Sequence, residues 1–381
     1  MLGQDDPWQL YAPTTEAEVS ALENDVQQRI FHNLLSANGS GGDGSGAAPQ
    51  RFFFLDDVVP FLNGGAKAIY QDSFTQCFRT EPSVAWNWNV YLFPLWLVGV
   101  LVRYVLLMPL RFLTLIVGTA LMLPFIVAVN FFGIGGPQFK QNLLTNYCSL
   151  FIMAMTGVIH RHGVPPVRRP NQIYVANHTT VLDVVVLMQI QCMAMVGQKH
   201  GGVMGFFQKY VVGDMGVWFD RTNVHDRHYV SKKIREHIAD PENPPVLIFP
   251  EGTCVNNRFC VQFKKGAFEL DAEIVPVAIK YNPLFCDMFY NSRVQSFVQH
   301  VFRIFTGWAC VADVHYLDPV RRGADEPVLD FAARVKSSIA EKAGLVDFPW
   351  DGMLKYAKPS PKLQEMQQKA FAACLFNRLN A

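Results

Sequence analysis

Ile173-Tyr174-Val175-Ala176-Asn177-His178-Thr179-Thr180-Val181-Leu182-Asp183 passes from strand to helix in eleven residues. Ile173 to Ala176 is a short, wholly apolar run, as expected of a strand buried on both faces. Val184 to Ile190 continues as an apolar helix. His178 falls in the turn between them. A separation of five residues turns a helix by about 500°, so His178 and Asp183 cannot share a helix face. They meet only if His178 stays in the turn and Asp183 opens the helix, with Thr179 or Thr180 as the cap. Asp183 then accepts a hydrogen bond from one imidazole nitrogen and leaves the other free as a base. Read alone, the same residues also fit a plain capping box, Thr180-x-x-Asp183, beside an ordinary loop histidine.

The pattern repeats downstream. Val246-Leu247-Ile248-Phe249 is a second short apolar strand, and Ile274 to Tyr281 a third, with Pro276 near its start. Val224 to Ile238 places Val230, Ile234 and Ile238 at every fourth position, with Arg227, Lys232, Lys233 and Arg235 off that line, so it is an amphipathic helix. Strands alternating with helices predict an α/β domain.

Two further clusters carry groups suited to a phosphate. Phe249-Pro250-Glu251-Gly252-Thr253 sets a carboxylate and a glycine at a strand end, where a glycine lets backbone approach a ligand. Phe219-Asp220-Arg221 offers a guanidinium fork. Lys199, His200, Lys264 and Lys265 add positive charge in the same region. Taken singly, the first of these clusters is also a strand-to-loop turn, and the second a surface arginine.

The largest shift in composition lies upstream. Val90 to Phe132 holds only two charges, Arg103 and Arg111, and the 21 residues from Phe112 to Phe132 hold none. That length crosses a bilayer as a helix. Arg103 with Pro94, Pro109 and Pro124 predicts a broken or re-entrant hairpin or two spans, with Arg111 in an interfacial turn. Charged residues are 17% and apolar residues 50% of the chain, a balance that leans toward membrane association. A net charge of +1 gives no bias toward nucleic acid. The 8 cysteines are scattered without a CxxC pair, which indicates neither a zinc knuckle nor a disulfide framework. The start, with Asp5 and Asp6, is not that of a secretory signal peptide.

The expected organisation is therefore a helical segment over residues 1–36, opened by the capping box Thr15-x-x-Glu18, and a Gly/Ser linker over 37–48. A connecting region over 49–89 leads to the membrane-inserted hairpin over 90–133. A catalytic domain over 134–358 and a C-terminal helical tail over 359–381 complete it, the tail docking on the domain or on a membrane surface.

In their order and spacing the four clusters, the fourth being Val275-Pro276-Val277, resemble the glycerolipid acyltransferase superfamily, marked by a His and an Asp separated by four residues. Phe263-Lys264-Lys265-Gly266-Ala267-Phe268-Glu269-Leu270, Ile279-Lys280-Tyr281-Asn282 and Pro349-Trp350-Asp351-Gly352 look like the glycerol-3-phosphate acyltransferases of the endoplasmic reticulum, particularly the plant and algal branch. Asp220 departs from the uncharged polar residue expected before the arginine. The resemblance implies a mixed sheet flanked by helices and transfer of an acyl group from acyl-CoA to the sn-1 hydroxyl of glycerol 3-phosphate. His178 would be the general base and Asp183 its orienting carboxylate. Arg221, Glu251, Gly252, Thr253 and Lys199 would bind the acceptor. Acyl-CoA is a co-substrate, and neither metal nor cofactor is required. The implied partners are acyl-CoA, glycerol 3-phosphate and membrane lipids, not nucleic acid. The implied address is the endoplasmic reticulum membrane, with the catalytic domain facing the cytosol. A lysophospholipid acyltransferase would use the same clusters, and a catalytically silent lipid-binding scaffold would keep the same fold.

Overall fold

The computed structural model describes residues 65–67, 69, 73–80, 90–199, 201–213, 216–219 and 226–380. The N-terminal helical segment and the Gly/Ser linker lie outside these residues. The chain divides into two compact units, residues 77–355 and residues 356–381 with those before 77.

The larger unit is built on a seven-stranded mixed sheet in the order β1-β8-β7-β2-β5-β3-β4. Its strands are β1 (Val158–His162), β2 (Gln172–Ala176), β3 (Ala194–Gln198), β4 (Val217–Phe219), β5 (Val246–Ile248), β7 (Glu273–Tyr281) and β8 (Val311–Tyr316). A separate parallel pair joins β6 (Phe259–Gln262) to β9 (Val346–Asp351). β7, β2, β5, β3 and β4 run parallel, while β8 lies antiparallel to β7. β2 is buried at all five positions, because strands pair on both its edges and helices cover both its faces. The strands predicted at 173–176, 246–249 and 274–281 are β2, β5 and β7, each within a residue of its expected ends.

Alternate residues of the sheet feed two cores. Tyr174, Leu247, Val275, Val277, Ile279 and Tyr281 meet one set of helices. These are α3 (Pro137–Ala154), the short α4 (Asp183–Met188) and the inner side of α7 (Phe297–Phe305). Ile173, Val175, Val246 and Ile274 meet the other set, α6 (Asp226–Ala239) and α8 (Val328–Ala343). A sheet between two helical layers is the α/β fold expected from the alternation of apolar strands with helices.

The apolar upstream segment is one unbroken helical stretch of 42 residues, Val90–Phe131. It comprises α1 (Phe93–Leu101), a wider π-type stretch Val102–Leu107 and α2 (Met108–Phe131). The hairpin expected here is therefore absent, and the reason is local. The Met108 N–H reaches back to the Arg103 carbonyl, so the turn before Pro109 widens and takes up the missing proline donor without a break. Only 11% of its most apolar window is buried, unlike a core helix. Its inward residues recur at helical spacing: Phe112, Leu115, Met122, Leu123 and Ile126 all pack on the first core. At Gly118 an added Cβ would come within 2.5 Å of Leu150, so α2 and α3 pack too closely for a larger residue.

Polar side chains fix α2 at both ends. Arg111 is 2% exposed and lies within α2, not in the interfacial turn expected of it. Its guanidinium donates to the carbonyls of Phe305 (2.8 Å), Gly307 (2.7 Å) and Trp308, and to the Thr156 hydroxyl. The carbonyls at and just beyond the end of α7 lack helical partners, so a cation is favoured there. Near the other end, Asn130 donates to the carbonyls of Tyr210 and Val211, in the π-type stretch Phe207–Val212 that follows α5 (Gly202–Phe206).

In the smaller unit, α9 (Pro361–Asn380) is the helix expected at the C-terminus, and its Gln367 donates to Ser73 at 3.1 Å.

Candidate active site

Three of the four sequence clusters, together with Lys199, sit where parallel strands end, while the fourth, Val275-Pro276-Val277, lies inside β7 and pairs with β2. Asn177-His178 follows β2, Phe249 to Thr253 follows β5, Lys199 follows β3, and Phe219 is the last residue of β4. These strands are neighbours running the same way, so their carboxyl ends line one edge of the sheet. That is where open α/β sheets bind ligands.

β2 stops at Ala176, while its neighbour β7 runs on to Tyr281. Asn177 closes the step between them. Its side chain accepts from the Ile279 N–H at 2.8 Å and donates to the Ile279 carbonyl at 2.9 Å, standing in for a ladder pair. The chain then turns at His178. Asp183 folds back over the turn from the first residue of α4, and its Oδ2 accepts from His178 Nδ1 at 2.9 Å and from the N–H groups of Thr179 (2.7 Å) and Thr180 (2.9 Å). Its Oδ1 accepts from the Tyr281 hydroxyl at 2.6 Å. The pairing expected from the five-residue spacing is thus made, but no threonine caps the helix. The carboxylate ties the turn, and the Thr180 hydroxyl instead meets His300 Nε2 of α7 at 2.8 Å. Burial, aided by Arg303, pushes His300 down to about 3, so it is neutral.

Glu251 braces the turn from below. It is 1% exposed; its carboxylate accepts from the His178 N–H at 2.8 Å and, more weakly, from Val261 N–H at 3.4 Å. Burial raises it to about 8 despite the His178 N–H. Its side chain is thus occupied in holding His178. Gly252 beside it takes φ +67°, a conformation that glycine adopts without strain. The Lys264 ammonium lies across this glycine, so that a Cβ there would come within 3.0 Å of it. Thr253 is buried, and its methyl and the Glu251 carbonyl both press on Gly352. This leaves no room for a side chain at Gly352. Lys199 is exposed. Asp220 and Arg221 lie outside the described residues.

The far side of the imidazole has its own neighbours. Phe249 stacks on the ring with centroids 4.3 Å apart, and Cys254 Sγ lies 3.4 Å from Nε2. Burial alone would push His178 down. The adjoining Cys254 sulphur and the Asp183 carboxylate outweigh it, holding His178 well above the ordinary imidazole range. The Cys254 carbonyl in turn accepts from the buried Lys355 ammonium at 2.9 Å.

A histidine with one nitrogen fixed by a buried carboxylate and the other turned toward a strand-end turn can take a proton from a hydroxyl. The polar run Cys254, Asn256, Asn257 after the apolar strand suggests a site in the sequence, and Tyr281 lies in the motif Ile279-Lys280-Tyr281-Asn282, but neither residue's contact with His178 or Asp183 is legible there, and His300 belongs to no motif. The retrievable signal was parity. Tyr281 shares the face of Val275, Val277 and Ile279, which is the face that meets α4.

A carboxylate-held histidine on an α/β sheet serves several reaction classes, and the acyltransferase family profile, which matches residues 158–280, assigns this one to the acyltransferases. Whole-chain similarity is more specific. Glycerol-3-phosphate acyltransferase 3 of Mus musculus is 41% identical over 374 residues, covering 93% of this chain and 83% of the mouse protein. Glycerol-3-phosphate acyltransferase 4 of Homo sapiens is 38% identical over 381 residues, covering 96% of this chain and 82% of the human one. The chain belongs to the glycerol-3-phosphate acyltransferase family. Among solved structures it is similar to the crystal structure of the 1-acyl-sn-glycerophosphate acyltransferase PlsC from Thermotoga maritima, at 14% identity and a TM-score of 0.49, over 64% of this chain and 96% of that one.

Proposed function

We propose that this chain is a membrane-held acyl-CoA:sn-glycerol-3-phosphate 1-O-acyltransferase that makes lysophosphatidate. The observation that carries the reading is its 41% identity along 93% of its length with a glycerol-3-phosphate acyltransferase. His178 Nε2 takes the proton from the sn-1 hydroxyl as the oxygen attacks the thioester carbonyl. Asp183 holds the other nitrogen and stabilises the imidazolium that forms. The tetrahedral oxyanion collapses, the C–S bond breaks, and the CoA thiolate leaves with the proton from His178. This direct transfer needs no covalent acyl-enzyme.

Lys199 follows β3, the Gly252 turn under Lys264 follows β5, and Arg221, outside the described residues, comes two positions after β4 in the sequence. This edge supplies cations and open backbone for the acceptor phosphate. Gly252 and Thr253 shape that turn, while Glu251 supports it from within. The apolar outer face of Val90–Phe131 holds the protein in the endoplasmic reticulum membrane, its catalytic domain on the cytosolic side where acyl-CoA and glycerol 3-phosphate are found.

Membranes containing the protein should convert labelled acyl-CoA and glycerol 3-phosphate into labelled lysophosphatidate. The reading fails if lysophosphatidate is acylated and glycerol 3-phosphate is not, which would make the chain a lysophospholipid acyltransferase.

A further inference from the structure

α7 shows two unlike faces. Inward, His300 is fully buried and holds Thr180 in the catalytic turn. Outward, Val298 is 75% and Phe302 44% exposed. These two stand at i and i+4 along one edge of the helix, beside Val301 and the buried Phe305, which pack on the first core, and the Phe305 ring lies 4.8 Å from Phe112 of α2. The exposed stripe therefore runs outward along α7 from the point where that helix meets the apolar rod.

The patch continues past the helix end. The Trp308 N–H donates to the Phe285 carbonyl at 2.9 Å, which ties the preceding loop to it. In that loop Leu284 is 79% and Phe285 39% exposed. The Trp308 ring lies against Gly99 of α1, where a Cβ would approach it to 3.2 Å, and the Arg103 guanidinium sits 5.4 Å from its centre. Between Asn282 and Ala309 the charges are Asp287, which pairs with Arg303 at 3.2 Å, and the exposed Arg293. This run of exposed apolar side chains, Leu284, Phe285, Val298, Phe302 and Trp308, joined to the rod, differs from the singly scattered apolar residues of an ordinary surface.

We infer that the outer face of α7, with the Leu284–Phe285 loop and Trp308, is a second membrane-contacting surface that docks on the bilayer beside the rod. This rests on the reading of Val90–Phe131 as membrane-embedded. Continuity with that rod names the occupant, and Trp308 and the arginines suit the headgroup level. The catalytic turn then lies about one helix diameter, roughly 10 Å, from the lipid, and the acyl chain of the donor can stay in the bilayer while its thioester reaches His178.

The test uses the full chain in proteoliposomes. An environment-sensitive fluorophore is attached to single introduced cysteines in a Cys374→Ser background, at Val298→Cys, Leu284→Cys, Ile116→Cys on the rod and Asp325→Cys in an exposed loop. The expected result is that the probes at 298, 284 and 116 are quenched by brominated lipids and protected from aqueous iodide, whereas the probe at 325 behaves oppositely. Lipid quenching at 116 with iodide quenching at 298 and 284 overturns the inference and leaves the embedded rod standing. Water exposure at all sites overturns both. Protection at 298 without lipid quenching, relieved by lowering the protein-to-lipid ratio, assigns the face to a second copy of the chain and overturns the bilayer docking.

Discussion

Tyr281→Phe removes one oxygen and leaves the ring. That oxygen donates to Asp183 Oδ1 at 2.6 Å, while Oδ2 takes His178 Nδ1 and two backbone N–H groups. Tyr281 is 1% exposed and Asp183 fully buried, so bulk water does not replace the lost donor. A hydrogen bond to a charged group contributes about 1.5–3 kcal/mol. With one donor fewer, more of the carboxylate's charge falls on the imidazolium, which becomes harder to deprotonate. If half of the smaller figure reaches His178, its titration rises by about half a unit, and half of the larger gives about one unit, since a unit is about 1.4 kcal/mol. The base must be neutral to act, so the acid limb of kcat/KM should move up by that amount. The alkaline plateau should fall less than about tenfold. The assay is transfer from labelled acyl-CoA to glycerol 3-phosphate across the pH range, variant beside parent so that titration of the substrate phosphate cancels. An unmoved limb, or one displaced to lower pH, would refute the coupling of Tyr281 through Asp183 to His178.

The remaining predictions probe the other sides of the same turn. Cys254→Ala removes a neighbour that raises His178, so the acid limb should move to lower pH, opposite to Tyr281→Phe; a matching upward shift would contradict this. Glu251 rises from 4.5 to about 8 on folding, so its contribution to stability is complete below about 4.5 and is lost as pH climbs toward 8. Glu251→Gln should flatten the dependence of Tm on pH across that window while keeping an acceptor for the His178 N–H, and an unchanged slope would count against it. Arg221→Ala, and more weakly Lys264→Ala, should raise KM for glycerol 3-phosphate and spare KM for acyl-CoA. A loss of acyl-CoA saturation instead would place these cations on the donor.

The sequence carried the parts of the fold that depend on local pattern. β2, β5 and β7 are apolar runs ended by polar turns, and a five-residue spacing across a strand-to-helix turn left one workable geometry for His178 and Asp183. The α/β class follows from the same alternation. What sequence could not carry is contact made across the sheet. Tyr281 reaches Asp183 only because β7 outruns β2, and that step depends on register. His300 meets Thr180 from a helix 120 residues away in the chain. Glu251 had the composition of a ligand-facing carboxylate, yet its place behind His178 is set by how β5 and β6 enclose it. The helical rod went unread for a different reason. Three prolines and an arginine normally break an apolar helix, but a widened turn absorbs Pro109, and Arg111 finds its acceptors at the end of a helix far off in the sequence.

The central claim is that His178, oriented by Asp183, is the base for acyl transfer to glycerol 3-phosphate. It is tested most directly by the turnover of His178→Ala in membranes, with protein amount and membrane retention measured in the same samples. General-base help is worth about 10²–10⁴-fold. The variant should accumulate in membranes like the parent and lose at least about a hundredfold in lysophosphatidate formation. Near-parental turnover by a membrane-retained His178→Ala protein would contradict the account.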